Sequence, residues 1–257
     1  MNLINSLILG IIEGITEFLP VSSTAHLIIT SRLLKIPSTE FIKFFEVFIQ
    51  SGAILAVLLL YYSYVIKNKE VIKKIIISFV PTAIIGFLLF KIIKTIFFES
   101  YYLIIGSLFF VGLLFILIEV LISKKKIVLS KKINQLSNLT SIIIGTAQAL
   151  AVIPGVSRAG IVIVIMMLLG YKRDQAALYS FLLAVPTILA ASAFDLLKTD
   201  LSIISNPDNL AFLSIGFITS FITAYISIKW LISFLQKKSL VIFGLYRVLT
   251  SFILFVI

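Results

Sequence analysis

The sequence predicts an all-α polytopic membrane protein built as an inverted-topology repeat. Three observations carry that prediction. The 257-residue chain is 60% hydrophobic and only 13% charged, with a mean hydropathy of +1.18, whereas soluble domains carry about 25% charged residues. Its apolar runs recur from end to end and come in two lengths. The lengths follow the same order in both halves, two short segments and then three long ones.

A spanning helix needs about 20 apolar residues, and a run of roughly 10–14 is more often re-entrant or buried. The first short pair, about 3–19 and 21–34, is broken at Pro20. The long segments 41–65, 71–93 and 101–122 follow as spans. The second short pair, 137–153 and 157–170, is broken at Pro154, and 175–197, 209–235 and 239–257 complete the set. A shift of 134 residues brings Pro20 onto Pro154, Ser23 onto Ser157, Phe45 onto Tyr179 and Ala53-Ile-Leu-Ala56 onto Thr187-Ile-Leu-Ala190. The chain therefore reads as one membrane domain, 1–257, with repeat one over about 1–122 and repeat two over about 137–257. A re-entrant hairpin returns to its own side and three spans do not, so the second repeat enters the membrane upside down. Inverted repeats with broken helices are best known from transporters.

Charge sets the orientation. Lysines and arginines at 67–74, 124–132, 172–173 and 237–238 number thirteen, against six (Arg32, Lys35, Lys43, Lys91, Lys94 and Lys198) on the other side. The positive-inside rule makes the richer side cytoplasmic. Both termini then lie outside, and the two hairpins dip in from opposite faces so that their tips meet. Loop lysines also account for the net charge of +11, so no nucleic-acid partner is expected. The N-terminus lacks a basic n-region and a small-residue cleavage site, so no cleaved signal is expected. Cysteine is absent, which excludes disulfides and thiolate metal sites.

The chemistry gathers at the two tips. Ionisable groups at membrane depth are expensive and mark functional sites. Glu13 and Glu17 are four residues apart and share one helix face. Such a pair holds a divalent cation or divides into one proton holder and one anion. Ser22, Ser23 and Thr24 follow Pro20, where a new half-helix starts; there their hydroxyls cap it, bind phosphate or attack. His26, the only histidine, lies three residues after Ser23 and is expected to act as general acid and base on it. At the second tip, Pro154-Gly-Val-Ser157-Arg158-Ala-Gly160 places an arginine between apolar runs. A buried arginine needs an anion, either a glutamate of the first tip or a phosphate gripped by the planar guanidinium. Gly160 and Gly155 allow close backbone approach to a ligand. A nucleophile, a histidine, a carboxylate pair and an arginine together suit phosphoryl transfer, and a cavity beside lipid points to a lipid-linked phosphate.

The segment Glu13-Gly-Ile-Thr-Glu-Phe-Leu-Pro-Val-Ser-Ser-Thr-Ala-His26 and the segment Pro154-Gly-Val-Ser-Arg-Ala-Gly160 resemble the two signature motifs of the bacitracin-resistance undecaprenyl-diphosphatase family. Phe45-Glu46-Val-Phe-Ile-Gln50 and Phe181-Leu-Leu-Ala-Val-Pro186 resemble it too, so the similarity covers nearly the whole chain. The resemblance implies an enzyme of the cytoplasmic membrane whose site opens to the outer face. It would remove one phosphate from undecaprenyl or another polyprenyl diphosphate and recycle the carrier lipid for cell-wall synthesis. It further implies a divalent cation, Mg²⁺ or Ca²⁺, a homodimer, and functional roles for Glu13, Glu17, Ser23, His26, Ser157 and Arg158. Ala25 stands where the family has glycine, Ala159 and Val162 where it has hydroxyl residues, and Ser51 where leucine is common. The competing expectation from another class is a lipid flippase or other inverted-repeat transporter. The Ser23 and His26 pair argues against it, since hydrolysis uses such a pair and transport does not require one.

Overall fold

A computed structural model describes residues 1–92, 100–200 and 206–256. Ten α-helices and no β-strand lie among the described residues: α1 (Leu3–Thr16), α2 (Ser23–Leu33), α3 (Glu40–Lys67), α4 (Lys69–Ile92), α5 (Tyr101–Ser123), α6 (Asn138–Gln148), α7 (Arg158–Leu168), α8 (Arg173–Lys198), α9 (Pro207–Lys237) and α10 (Val241–Val256). A 3₁₀ turn over Ala149–Val152 prolongs α6 toward Pro154. Residue 93 of the second expected span, Lys94 and Ile257 lie outside the described residues.

Short polar side chains start the helices. Asn2, Thr39, Ser100 and Ser137 each accept a hydrogen bond from the N–H three residues on, at α1, α3, α5 and α6, which satisfies one orphan donor of the first turn. Asn206 and Pro207 open α9, with Pro at the position where its missing N–H is harmless.

Among the described residues, five helices are long and apolar enough to cross a membrane: Glu40–Lys67, Lys69–Leu89, Tyr101–Ser123, Arg173–Lys198 and Pro207–Lys237. The sixth expected span, 239–257, is shorter. Lys238 and Ser239 follow the end of α9, and the Leu240 N–H is tied to the Glu119 carboxylate at 2.8 Å. Helix α10 therefore starts at Val241 and has 16 residues, a rise of about 24 Å against a hydrocarbon core of about 30 Å. The two short pairs are hairpins as expected. At 14 and 11 residues, α1 and α2 rise only about 21 and 17 Å.

Each hairpin is docked through a glycine that lets two backbones touch. A Cβ at Gly14 of α1 would stand 2.3 Å from the Ser220 carbonyl oxygen of α9, and one at Gly145 of α6 would stand 1.9 Å from that of Ser78 on α4. Close backbone approach at small residues is how apolar helices associate where lipid removes the hydrophobic drive. Thr82 Oγ1 donates to the Gly145 carbonyl at 2.7 Å and Ser78 Oγ to that of Ser141 at 2.7 Å, fixing the second hairpin further. One hydrophobic core contains Phe18 and Val21 of the first hairpin together with Val156 and Ile161 of the second. The two tips therefore meet, as the sequence indicated.

Candidate active site

The tips are built by two backbone irregularities of the same kind. Ser22, the residue before α2, has φ 77° and ψ 92°, and Ser157, the residue before α7, has φ 73° and ψ 111°. Non-glycine residues rarely adopt positive φ, which costs about 1–3 kcal/mol and gathers at functional sites. The structural partner of Ser157 is thus Ser22, not Ser23, and the tips correspond at one residue more than the sequence offset indicated. Their capping differs. Ser157 Oγ accepts from the Gly160 N–H at 3.1 Å, whereas the Ser22 side chain makes no cap bond. Gly160 therefore spends its N–H inside the helix cap, and a Cβ there would stand 2.7 Å from Phe115. Packing requires that glycine.

Arg247 holds this strained pair of tips together. It is fully buried in α10. Its Nη1 donates to the Pro20 carbonyl of the first tip at 3.2 Å, and its Nη2 donates to the carbonyls of Gly155, Val156 and Ser107. Its guanidinium also lies over the Phe115 ring at 5.4 Å. Carbonyl dipoles and a ring face stand in for a carboxylate partner. The sequence reading passed over Arg247, although an arginine inside an apolar run is the same signal that marked Arg158.

Glu17 is the centre of the site. Its Oε2 accepts from Ser23 Oγ at 2.5 Å and its Oε1 from Arg158 Nη2 at 2.8 Å. One carboxylate thus joins the hydroxyl of the first hairpin to the guanidinium of the second. Arg158 Nη1 donates to the Ser180 carbonyl at 3.0 Å, and its guanidinium faces Phe18 at 5.9 Å. Glu17 and Arg158 are almost wholly buried, with side-chain exposures of 7% and 11%. A charge-assisted contact in such surroundings is short and strong.

His26 stands elsewhere than expected. Its Nδ1 is 2.8 Å from the Ser22 carbonyl and its Nε2 is 2.6 Å from the Tyr246 hydroxyl. Both ring nitrogens are thereby engaged, and neither bonds to Ser23. The carboxylate of Glu17, not the imidazole, is the acceptor in contact with Ser23. Thr24 lies half-buried in the first turn of α2. Of the residues where the sequence departs from the resembling family, Ala25, Ala159 and Val162 are all buried. Ser51 pairs with Ser192 Oγ at 3.4 Å.

Glu13 is fully buried, and both its carboxylate oxygens lack a hydrogen-bond partner among the described residues. Glu17, Glu46 and Arg158 all act on it electrostatically. A buried carboxylate left unpartnered is expensive, and hard oxygen donors suit Mg²⁺ or Ca²⁺. Glu13 therefore fits a divalent cation, with Glu17, whose oxygens are engaged by Ser23 and Arg158, beside it. No group of three or more His, Cys, Asp or Glu side chains that could hold a metal occurs among the described residues.

Comparison with known proteins gives consistent matches. The family described as bacitracin resistance protein BacA matches residues 6–253. An undecaprenyl-diphosphatase of Aquifex aeolicus is 46% identical over 248 residues, covering 96% of this chain and 95% of that protein. Proteins of the same name from a Sulfurihydrogenibium species and from Campylobacter fetus are 45% and 43% identical, each covering 97% of this chain and 96% of their own length.

Proposed function

The chain belongs to the bacitracin resistance protein family, and from that premise we propose how its two hairpin tips hydrolyse undecaprenyl diphosphate to the monophosphate and phosphate. The observation that carries the assignment of roles is the double contact of Glu17 with Ser23 and Arg158. Ser23 Oγ attacks the terminal phosphorus while its proton passes to Glu17 Oε2, and the P–O bond to the lipid monophosphate breaks. Water then cleaves the phosphoserine, which releases inorganic phosphate and restores the hydroxyl. Arg158 has N–H donors beyond those given to Glu17 and Ser180, and it turns them to the phosphoryl oxygens, where a planar fork matches the ligand. The first-turn N–H groups of α2, which the Ser22 side chain does not cap, are donors of the kind that bind the same anion. Glu13 and Glu17 would hold a divalent cation, which would supply positive charge to neutralise the phosphate.

Hydrolysis is separated from lipid transport by one assay. Detergent-solubilised protein is expected to release phosphate from a polyprenyl diphosphate with Mg²⁺ or Ca²⁺ present, and excess chelator is expected to abolish release. Folded protein that releases none, with no bilayer to cross, overturns the phosphatase and leaves a flippase. Full turnover in excess chelator overturns the cation.

We propose further that both termini face outside the cytoplasmic membrane, which the lysine and arginine bias supports. Single cysteines replacing Lys69 and Lys126 are expected to resist membrane-impermeant reagents in intact cells, and one replacing Asn2 is expected to react. Labelling at position 126 in sealed cells reverses the orientation.

A further inference from the structure

The histidine of the first tip is reached from α10, through Tyr246. A carbonyl oxygen only accepts hydrogen bonds, so the 2.8 Å contact with the Ser22 carbonyl places a proton on His26 Nδ1. In the neutral ring Nε2 is then an acceptor, and the Tyr246 hydroxyl at 2.6 Å donates to it. The two rings stack, with centroids 5.7 Å apart and planes 11° apart. The chain of contacts thus runs from a phenol that is 44% exposed, through the imidazole, to the carbonyl of strained Ser22, the residue preceding the nucleophile. The next residue of α10 is Arg247, whose guanidinium binds the Pro20 carbonyl of the same tip. Successive residues of a helix project about 100° apart, so one turn of α10 grips the tip from two directions.

We infer that Tyr246 is a positioning residue for the reaction: its hydroxyl fixes the tautomer and ring plane of His26 and, through Nδ1–H, the peptide plane of Ser22 beside Ser23. This rests on the phosphatase assignment for its effect on rate, while its effect on the imidazole stands apart from it. The phenol touches neither Ser23 nor Arg158, so it acts through His26. Removing it leaves the stack and the buried packing in place but frees the ring to rotate or to exchange its proton between nitrogens.

His26 is the only histidine in the chain, so ¹⁵N-labelled histidine in detergent-solubilised protein gives one imidazole spectrum. The native protein is expected to show a protonated Nδ1 and an acceptor Nε2, and Tyr246→Phe is expected to shift the Nε2 resonance and populate the other tautomer. In the phosphate-release assay, Tyr246→Phe is expected to lower kcat about tenfold, the scale of one lost hydrogen bond, with KM for the lipid little changed. Because it acts through His26, the same substitution is expected to have no further effect in a His26→Gln background. An imidazole spectrum unchanged in Tyr246→Phe overturns the inference whatever the assay gives, and so does an additive rate loss in the double variant. Absence of phosphate release from the native protein counts instead against the phosphatase assignment.

Discussion

Glu17→Gln is expected to slow phosphate release at least about 10³-fold, the scale of removing an essential catalytic group. The substitution is nearly isosteric, so Glu17's place beside Phe18 and the core changes little. What changes is the chemistry of both oxygens. Oε2 now accepts the Ser23 hydroxyl proton at 2.5 Å, and Oε1 holds Arg158 at 2.8 Å. An amide offers one acceptor and one donor, so it keeps one of these contacts and sets a donor against the other. It also cannot take a proton from Ser23, which removes the base whichever way the amide turns. Where the amide oxygen turns to Ser23, Arg158 is left with the Ser180 carbonyl and the Phe18 ring, and breaking a buried pair costs about 3–5 kcal/mol of stability. The two losses are separated by thermal unfolding in the same detergent. A variant that is folded at the assay temperature and still releases phosphate at more than about a tenth of the native rate would falsify the role of Glu17 as base.

The groups around Glu17 were legible in the sequence because burial makes them conspicuous. Glu13, Glu17, His26 and Arg158 are charged or titratable groups set in apolar runs, and such groups need partners. The pairing of Arg158 with a glutamate of the first tip was legible as one of two alternatives, but the partners of Ser23 and His26 were not. An i, i+3 spacing places Ser23 and His26 on one helix face, but it does not make them touch. Ser23 is the first residue of α2, and side chains in a helix lean toward its N-terminus; its hydroxyl therefore reaches Glu17 at the C-cap of α1. His26 leans the same way and meets the Ser22 carbonyl one turn back. That carbonyl is presented by the positive φ of Ser22, and no side-chain pattern announces a positive φ at serine. The offset between the halves failed by one residue at the tips for a related reason. Helices α1 and α6 start at Leu3 and Asn138, and α2 and α7 at Ser23 and Arg158, whereas α3 and α8 start at Glu40 and Arg173. The connections after the hairpins differ in length, so no single shift aligns both tips and spans. Tyr246 and Arg247 sit in a segment read as an ordinary span. Their partners lie more than 90 residues away in sequence, beyond the reach of any local pattern.

Ser23→Ala is expected to cost on the order of 10³-fold or more in turnover, and Ser22→Ala less than about tenfold. Two adjacent hydroxyls at one helix start make this a test of geometry. Ser23 Oγ has a proton acceptor in place, Glu17 Oε2, and activation of a hydroxyl nucleophile requires one. Ser22 is buried and its side chain caps nothing. Its part is played by its backbone, whose φ of 77° opens the first turn of α2. Alanine occupies that conformation with a strain close to that of serine, so the backbone contribution survives Ser22→Ala. Glycine adopts positive φ freely, so Ser22→Gly is expected to keep turnover as well. The control for a covalent route is acid quenching of a reaction labelled in the terminal phosphate, which should trap label on native protein and none on Ser23→Ala. If Ser23→Ala keeps substantial turnover while His26→Ala is inactive, water attacks directly and the hydroxyl only helps to bind phosphate. If Ser22→Ala is the inactive variant, the attacking oxygen belongs to the strained residue itself, and the Glu17–Ser23 contact holds the tip closed in place of starting the reaction.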